Sequence, residues 1–302
     1  MEVQSEIKTN SAKAWMLASR PKTLTGAAVP IMVAIALAAT QLGHGTFRIV
    51  PAVLCLLFAF IMQIDANFIN DYFDFIRGND DETRLGPRRA CAQGWITPQA
   101  MKKGLIVTTF IACITGLPLI WYGGTEMVIV GLLCVAFCFL YTTKLSYIGM
   151  GDVLVLVFFG IVPVCCTYYL ITTDITWPVF IASIACGLVI DTLLLVNNYR
   201  DRKNDMAAGK HTLVTMIGET NTEWLYLACG WIAVGLNIVV LLMLNAHLFT
   251  ATLPAVYLIL HTRTWRKMKE INRGKALNLI LGQTARNMFI YGMLTSISLL
   301  IL

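Results

Sequence analysis

At 302 residues, with 57% hydrophobic and only 13% charged side chains and a mean hydropathy of +0.70, the chain is too apolar for a soluble domain, which carries about 25% charged residues. A net charge of +6 would point a soluble protein toward nucleic acid. Here it points to loops facing an anionic membrane surface, so the composition argues against a nucleic-acid partner and predicts an all-α polytopic protein whose partner is the lipid bilayer.

Residues 1–23 read as a cytoplasmic arm, with Lys13, Trp15, Met16, Leu17 and Arg20 patterned for a short interfacial helix. These polar residues show no cleavable leader, so the first span is expected to act as its own insertion signal. Nine apolar segments follow, at 24–42, 49–71, 104–122, 127–143, 153–171, 177–197, 224–244, 246–262 and 279–302. Each is near the ~20 residues that cross a bilayer. The ninth is interrupted by Gln283, Arg286 and Asn287, and its first half fits an interfacial helix. Links 75–103 and 198–223 are long and polar, and 263–278 is strongly basic.

Of the 23 Lys and Arg residues, Arg48 alone falls on the side opposite the N-terminus and the long links. This bias predicts a multi-pass protein of the cytoplasmic (inner) membrane with its N-terminus in the cytoplasm. The nine Cys residues lie mostly within apolar runs, show no metal or disulfide spacing, and read as small buried hydrophobes.

The run Asn197-Asn198-Tyr199-Arg200-Asp201-Arg202-Lys203-Asn204-Asp205 begins where the sixth apolar segment stops. Asn197, Asp201 and Asp205 stand at i, i+4 and i+8, one face of a helix. An amide oxygen and two carboxylates are hard ligands suited to Mg²⁺. Arg200, Arg202, Lys203 and Lys210 crowd beside them, so a polyanion and a metal are expected to share the site. The second segment ends with an echo: Gln63, Asn67, Asn70 and Asp74 share a face, with Asp71 beside it, and Asn70-x-x-x-Asp74 repeats the spacing of Asn197-x-x-x-Asp201.

A single Asx-rich helix end can be an interfacial cap. Two copies four spans apart, each followed by a basic loop, are harder to read that way. They predict one domain over 1–302: an arm (1–23), a first four-helix half (24–148), a second (149–263) and a basic link with a ninth helix (264–302). The carboxylate faces of the two halves would meet at one central cavity. Asp65 and Asp191 lie deeper, on other faces, and carry no assigned role. His44, His211, His247 and His261 show no ligand spacing.

The stretch from Asn67 to Asp80 (NFINDYFDFIRGND), with Arg84-Leu-Gly86-Pro87-Arg88-Arg89, resembles the first signature of the UbiA superfamily of membrane prenyltransferases. Asn197 to Asp205, continuing through Gly209-Lys210-His-Thr212-Leu213, resembles the second. Arg20-Pro21-Lys22-Thr23, Tyr141-Thr-Thr-Lys144 and Gly149-Met-Gly151-Asp152 fit as well, so the resemblance covers essentially the whole chain. Gly78-Asn-Asp80 and Gly209-Lys-His-Thr-Leu213 are most similar to the menaquinone branch, which prenylates 1,4-dihydroxy-2-naphthoate. Other branches usually carry a third Asp where this chain has Gly78.

The resemblance implies a polyprenyl diphosphate donor, an aromatic acid acceptor, Mg²⁺ as cofactor, attack through a ring carbon and loss of CO₂. Breaking the allylic C–O bond leaves diphosphate and a carbocation, and Mg²⁺ on the diphosphate offsets the developing charge. The expected ligands are Asn70, Asp74 and either Asp71 or Asp80 in one half, with Asn197, Asp201 and Asp205 in the other. Lys22, Arg77, Arg88, Lys144, Arg200 and Lys210 are candidate diphosphate clamps, with Asn67 on the substrate side. Tyr141, Tyr72 or Tyr199 would donate a hydrogen bond or shield the cation. Two rivals stay open: the same fold with another aromatic acceptor, and a transporter that uses intramembrane carboxylates as an ion relay.

Overall fold

A computed structural model describes residues 7–42, 46–78, 84–143 and 145–302. Among these the chain is helical, with no strand and one isolated parallel bridge between Ile148 and His211. The interfacial arm is present as α1 (Ala12–Ser19). The Ser11 hydroxyl caps it by accepting from Ala14 N at 3.3 Å, and Arg20 closes it in a left-handed conformation. A tight turn at Pro21–Thr23 then leads into α2 (Leu24–Leu42). The later helices are α3 (Ile49–Ile76), α4 (Pro98–Gly123), α5 (Glu126–Thr143), α6 (Gly151–Thr172), α7 (Trp177–Ala207), α8 (Leu213–Ile217), α9 (Glu219–Met243), α10 (Leu248–Thr252), α11 (Val256–Ile271) and α12 (Leu277–Leu300).

Seven helices among the described residues are long and apolar enough to cross a membrane. The two remaining expected spans differ from the sequence reading. The eighth is broken: Pro254 lacks the N–H that would continue α10, so a turn at Leu253–Ala255 separates it from α11. The ninth forms one unbroken helix, α12, with its polar residues inside it. Neither α11 nor α12 is among the seven. The expected domain limit at 263 falls within α11, and the polar link 198–223 is mostly helical.

Helices α3 and α7 outrun the apolar segments that predicted them. α3 has 28 residues and α7 has 31, about 42 and 46 Å at 1.5 Å per residue, against a hydrocarbon layer of about 30 Å. Their last turns therefore project past the apolar layer while remaining helical, and both polar motifs ride on these projections.

Packing closes the bundle through α2, which lies against α3, α6, α7 and α12, helices drawn from both expected halves. α7 packs on α6, α9 and α12, while α3 packs on α4, α5 and α6. Val29, Val33, Leu37, Tyr168, Val189, Met288 and Tyr291 lie in the shared core. On the outside, Ile106, Phe110, Trp121, Ile129 and Leu132 are exposed, as a lipid-facing surface requires. α6 winds as a π-helix over Leu156–Ile161, and there its backbone reaches that of α7. A Cβ on Gly160 would stand 2.6 Å from Ser183 O and 2.7 Å from Gly187 Cα. Gly160→Ala is therefore expected to lower stability by about 1–3 kcal/mol. Gly131→Ala, where nothing lies within 4 Å, should leave the thermal midpoint in detergent essentially unchanged.

Candidate active site

The projecting turn of α7 carries the densest polar network. Arg200 is 3% exposed and forks onto Asp201, with Nε donating to Oδ1 at 2.8 Å and Nη2 to Oδ2 at 2.5 Å. Nη2 also donates to Asn197 Oδ1 at 2.8 Å, and Nη1 to Asn278 Oδ1 on α12 at 2.8 Å. Asn278 Nδ2 in turn donates to Leu85 O at 2.8 Å, so the loop after α3 is drawn across the end of α7. The fit requires glycine at position 86, where a Cβ would lie 2.8 Å from Arg200 Nη2. One turn further on, Lys210 doubles back after α7. Its N–H donates to Asp205 O at 2.8 Å, and its Nζ stands 3.5 Å from Asp205 Oδ1.

The first motif on α3 divides into ligand-like groups and struts. Asp74 accepts from Arg89 Nη2 at 2.8 Å. Asn70 Oδ1 accepts from the Thr142 hydroxyl at 2.7 Å, which ties the motif to the end of α5. Asp71 is a strut: it is 1% exposed, and its two oxygens accept the backbone N–H groups of Ala90 and Cys91 at 2.8 and 2.9 Å. With both oxygens held by backbone N–H groups, which unlike a side-chain cation cannot swing away, it anchors the loop. Asn67 Nδ2 donates to Ser19 O and Thr23 Oγ1, both at 2.9 Å, and so pins the turn between α1 and α2. Arg77 donates to the carbonyls of Thr142 and Thr143 at 3.0 and 2.8 Å and lies 5.5 Å from the centre of the Tyr147 ring.

The three candidate tyrosines separate clearly. Tyr199 is buried, donates to Glu223 Oε1 at 2.8 Å and lies under Arg202, facing the α9 side. Tyr72 packs with the α1 cluster of Phe68, Trp15 and Trp95. Tyr141 instead faces the polar end of the bundle. Tyr141 lines a small pocket with Ser146, Gly151, Asp152, Asn198, Lys210 and Thr212.

Lys22 and Arg88 are exposed and form no ion pair among the described residues. Asp80 and Lys144 lie outside the described residues. Sequence reasoning missed Arg89, choosing its neighbour Arg88, and missed Asn278, which no motif spacing flags. Deeper in the bundle, Asp65 accepts hydrogen bonds from the hydroxyls of Thr108 and Thr109. It fastens α3 to α4, which removes one carboxylate from any relay.

The donor set suits a hard cation. Asp205 Oδ2 is buried and accepts no hydrogen bond, which is the state of a carboxylate oxygen kept for a ligand. Among the described residues no three His, Cys, Asp or Glu side chains close a metal site unaided. Amide and substrate oxygens would have to complete the shell, as is usual for Mg²⁺.

A helical bundle with seven long apolar helices and a polar, charge-balanced centre at one end is a multi-pass membrane protein built around a buried reaction site. The chain belongs to the UbiA prenyltransferase family, whose model matches residues 27–292, and it is an aromatic prenyltransferase. It is 38% identical over 234 residues to the 1,4-dihydroxy-2-naphthoate octaprenyltransferase of Escherichia coli, covering 74% of this chain and 75% of that one. It is 30% identical over 280 residues to the Mycobacterium leprae enzyme of the same name, covering 92% of each. Its fold matches that of a UbiA homolog from Archaeoglobus fulgidus bound to DMAPP and Mg²⁺, with TM-score 0.64, 14% identity and coverage of 95% of this chain and 99% of that one.

The anchoring role of Asp71 yields a clear expectation. Asp71→Ala strands two buried N–H groups, at about 1–3 kcal/mol each, and should expose the 84–97 loop to protease. Asp205→Asn, whose partner Lys210 lies outside that loop, should leave the cleavage pattern unchanged.

Proposed function

We propose that this enzyme transfers a polyprenyl group from a polyprenyl diphosphate to 1,4-dihydroxy-2-naphthoate, releasing diphosphate and CO₂, with Mg²⁺ as its cofactor. The acceptor is supported by the Escherichia coli and Mycobacterium leprae relatives, the metal and the allylic diphosphate by the Archaeoglobus fulgidus homolog. The observation that carries the reading is the tie between the two motifs: Arg200 of the second donates to Asn278, which in turn donates to Leu85 O in the loop that follows the first.

Asn70, Asp74, Asn197, Asp201 and Asp205 are the residues that would hold the metal, with Asp80 as a further candidate and Asp71 left out. When bound, Mg²⁺ offsets the negative charge that grows on the diphosphate as the allylic C–O bond breaks. Each carboxylate of the set is held by a cation of this chain: Asp74 by Arg89, Asp201 by Arg200 and Asp205 by Lys210. Those cations would turn onto the diphosphate, with Lys22, Arg77 and Arg88 contributing at the rim and Lys144 as a further candidate.

Tyr141 would shield the allylic cation through the face of its ring and help to keep water from it. The ring carbon bearing the acceptor's carboxylate attacks the cation. A new C–C bond forms, and the C–CO₂ bond breaks with its electron pair returning to the ring. The isoprenoid tail lies among the apolar helices. We place the enzyme in the inner membrane with its N-terminus cytoplasmic, on the side of the basic links.

Purified enzyme given one polyprenyl diphosphate and a series of aromatic acids should form product with 1,4-dihydroxy-2-naphthoate, and none with that acid would reject the acceptor. Asp74→Ala and Asp201→Ala should each lower kcat by about 100-fold or more while membrane insertion is retained; near-native turnover at limiting Mg²⁺ would refute the ligand assignment. Lys210→Ala should raise KM for the polyprenyl diphosphate more than KM for the acid, and the reverse pattern would remove it from the clamp.

A further inference from the structure

The cations of the basic run 263–278 take no part in the site above. The run opens on a separate groove of about 380 Å³ between α11 and α12, lined by Arg263, Arg266, Lys267, Glu270, Gln283 and Arg286. Four cations face one carboxylate there. None of the four forms an ion pair among the described residues; Arg286 Nη2 donates to Asn287 Oδ1 at 3.4 Å. The floor is fixed by a cross-helix bond in which Asn287 Nδ2 donates to Thr264 Oγ1 at 2.8 Å. That bond sets Arg263 and Arg286, the chain neighbours of these two residues, side by side. Unpaired arginines on the flank of a membrane bundle call for an anion from outside the protein.

The depth and the surroundings of the groove say which anion. From Arg286 to Leu300 the helix runs about 21 Å at 1.5 Å per residue. With Leu300 at the far edge of a hydrocarbon layer of about 30 Å, the Arg286 backbone lies about 9 Å inside the near edge, and its long side chain reaches most of that way toward the phospholipid phosphates. On α11, Ile259, Arg263 and Arg266 share one face; on α12, Arg286, Phe289, Met293 and Ile297 do so. Ile259, Phe289, Met293 and Ile297 are all exposed. The combined surface is cationic at the basic end and apolar beyond it, which matches an amphiphile with a phosphate head. A free ion would have no use for the apolar part.

We propose that the α11–α12 groove binds the headgroup of an anionic phospholipid, with Arg263 and Arg286 gripping the phosphate and the acyl chains lying on the exposed apolar face below. The test is thermal unfolding of the full chain in non-ionic detergent with added phosphatidylglycerol, phosphatidylcholine or inorganic phosphate. Phosphatidylglycerol should raise the Tm by about 4 °C. The shift should persist in Lys102→Gln/Lys103→Gln, a charge-matched control on α4, and be lost in Arg263→Gln/Arg286→Gln. An equal shift in that double variant, an equal shift with phosphatidylcholine, or full reproduction of the shift by inorganic phosphate alone would overturn the proposal. Should the double variant fail to fold, Arg286→Gln alone is judged by the same criteria. Native mass spectrometry of the wild-type chain should then show a retained phosphatidylglycerol adduct, and its absence would count against the site.

Discussion

A buried guanidinium holds the working end of this bundle together. Arg200 donates to Asp201 and Asn197 on its own helix and to Asn278 on the last helix, and Gly86 of the first polar loop lies close against it. Taking such a charge out of water costs several kcal/mol unless every donor is met, so the arrangement persists only while α7, α12 and the 84–97 loop stay in register. The loop is held in turn by Asp71, whose oxygens meet two backbone N–H groups. The geometry of the reaction centre thus depends on charges that serve packing as well as chemistry.

Each acidic group proposed to meet the metal is balanced by a cation of the same chain, and this bears on how such a site can exist at a membrane edge. Unpaired carboxylates would be costly beside apolar helices. Pairing Asp74 with Arg89, Asp201 with Arg200 and Asp205 with Lys210 makes such carboxylates tolerable there. It also keeps both signs of charge in place for the magnesium diphosphate proposed as its ligand. Binding would exchange partners instead of creating new charge. The groove between α11 and α12 lacks this balance, and its cations look outward to lipid for theirs.

Much of this was legible in the chain. The apolar runs located seven of the expected spans, and the i, i+4 spacing of Asn and Asp placed both motifs on helices that outlast the membrane. The choice among neighbours was not legible. Asp71 and Asp74 are three residues apart and chemically alike, yet one anchors a loop and the other stands at the centre. Arg88 and Arg89 are adjacent, and only Arg89 reaches Asp74. Tyr72, Tyr141 and Tyr199 were equivalent on paper, and burial directs two of them elsewhere. Asn278 carried no motif signal, because its role depends on α12 passing beside Arg200.

By itself, the order of residues determined the solvent and the chemistry. Hydropathy selects a bilayer, and the two polar signatures select the UbiA prenyltransferase family. These are properties of composition and local period, which a helix expresses wherever it lies. Only the tertiary structure decided which of two like side chains points inward, where the eighth segment breaks, and which cation faces which carboxylate. Those choices rest on contacts between segments more than a hundred residues apart, such as Leu85 with Asn278, and no spacing along one helix encodes them.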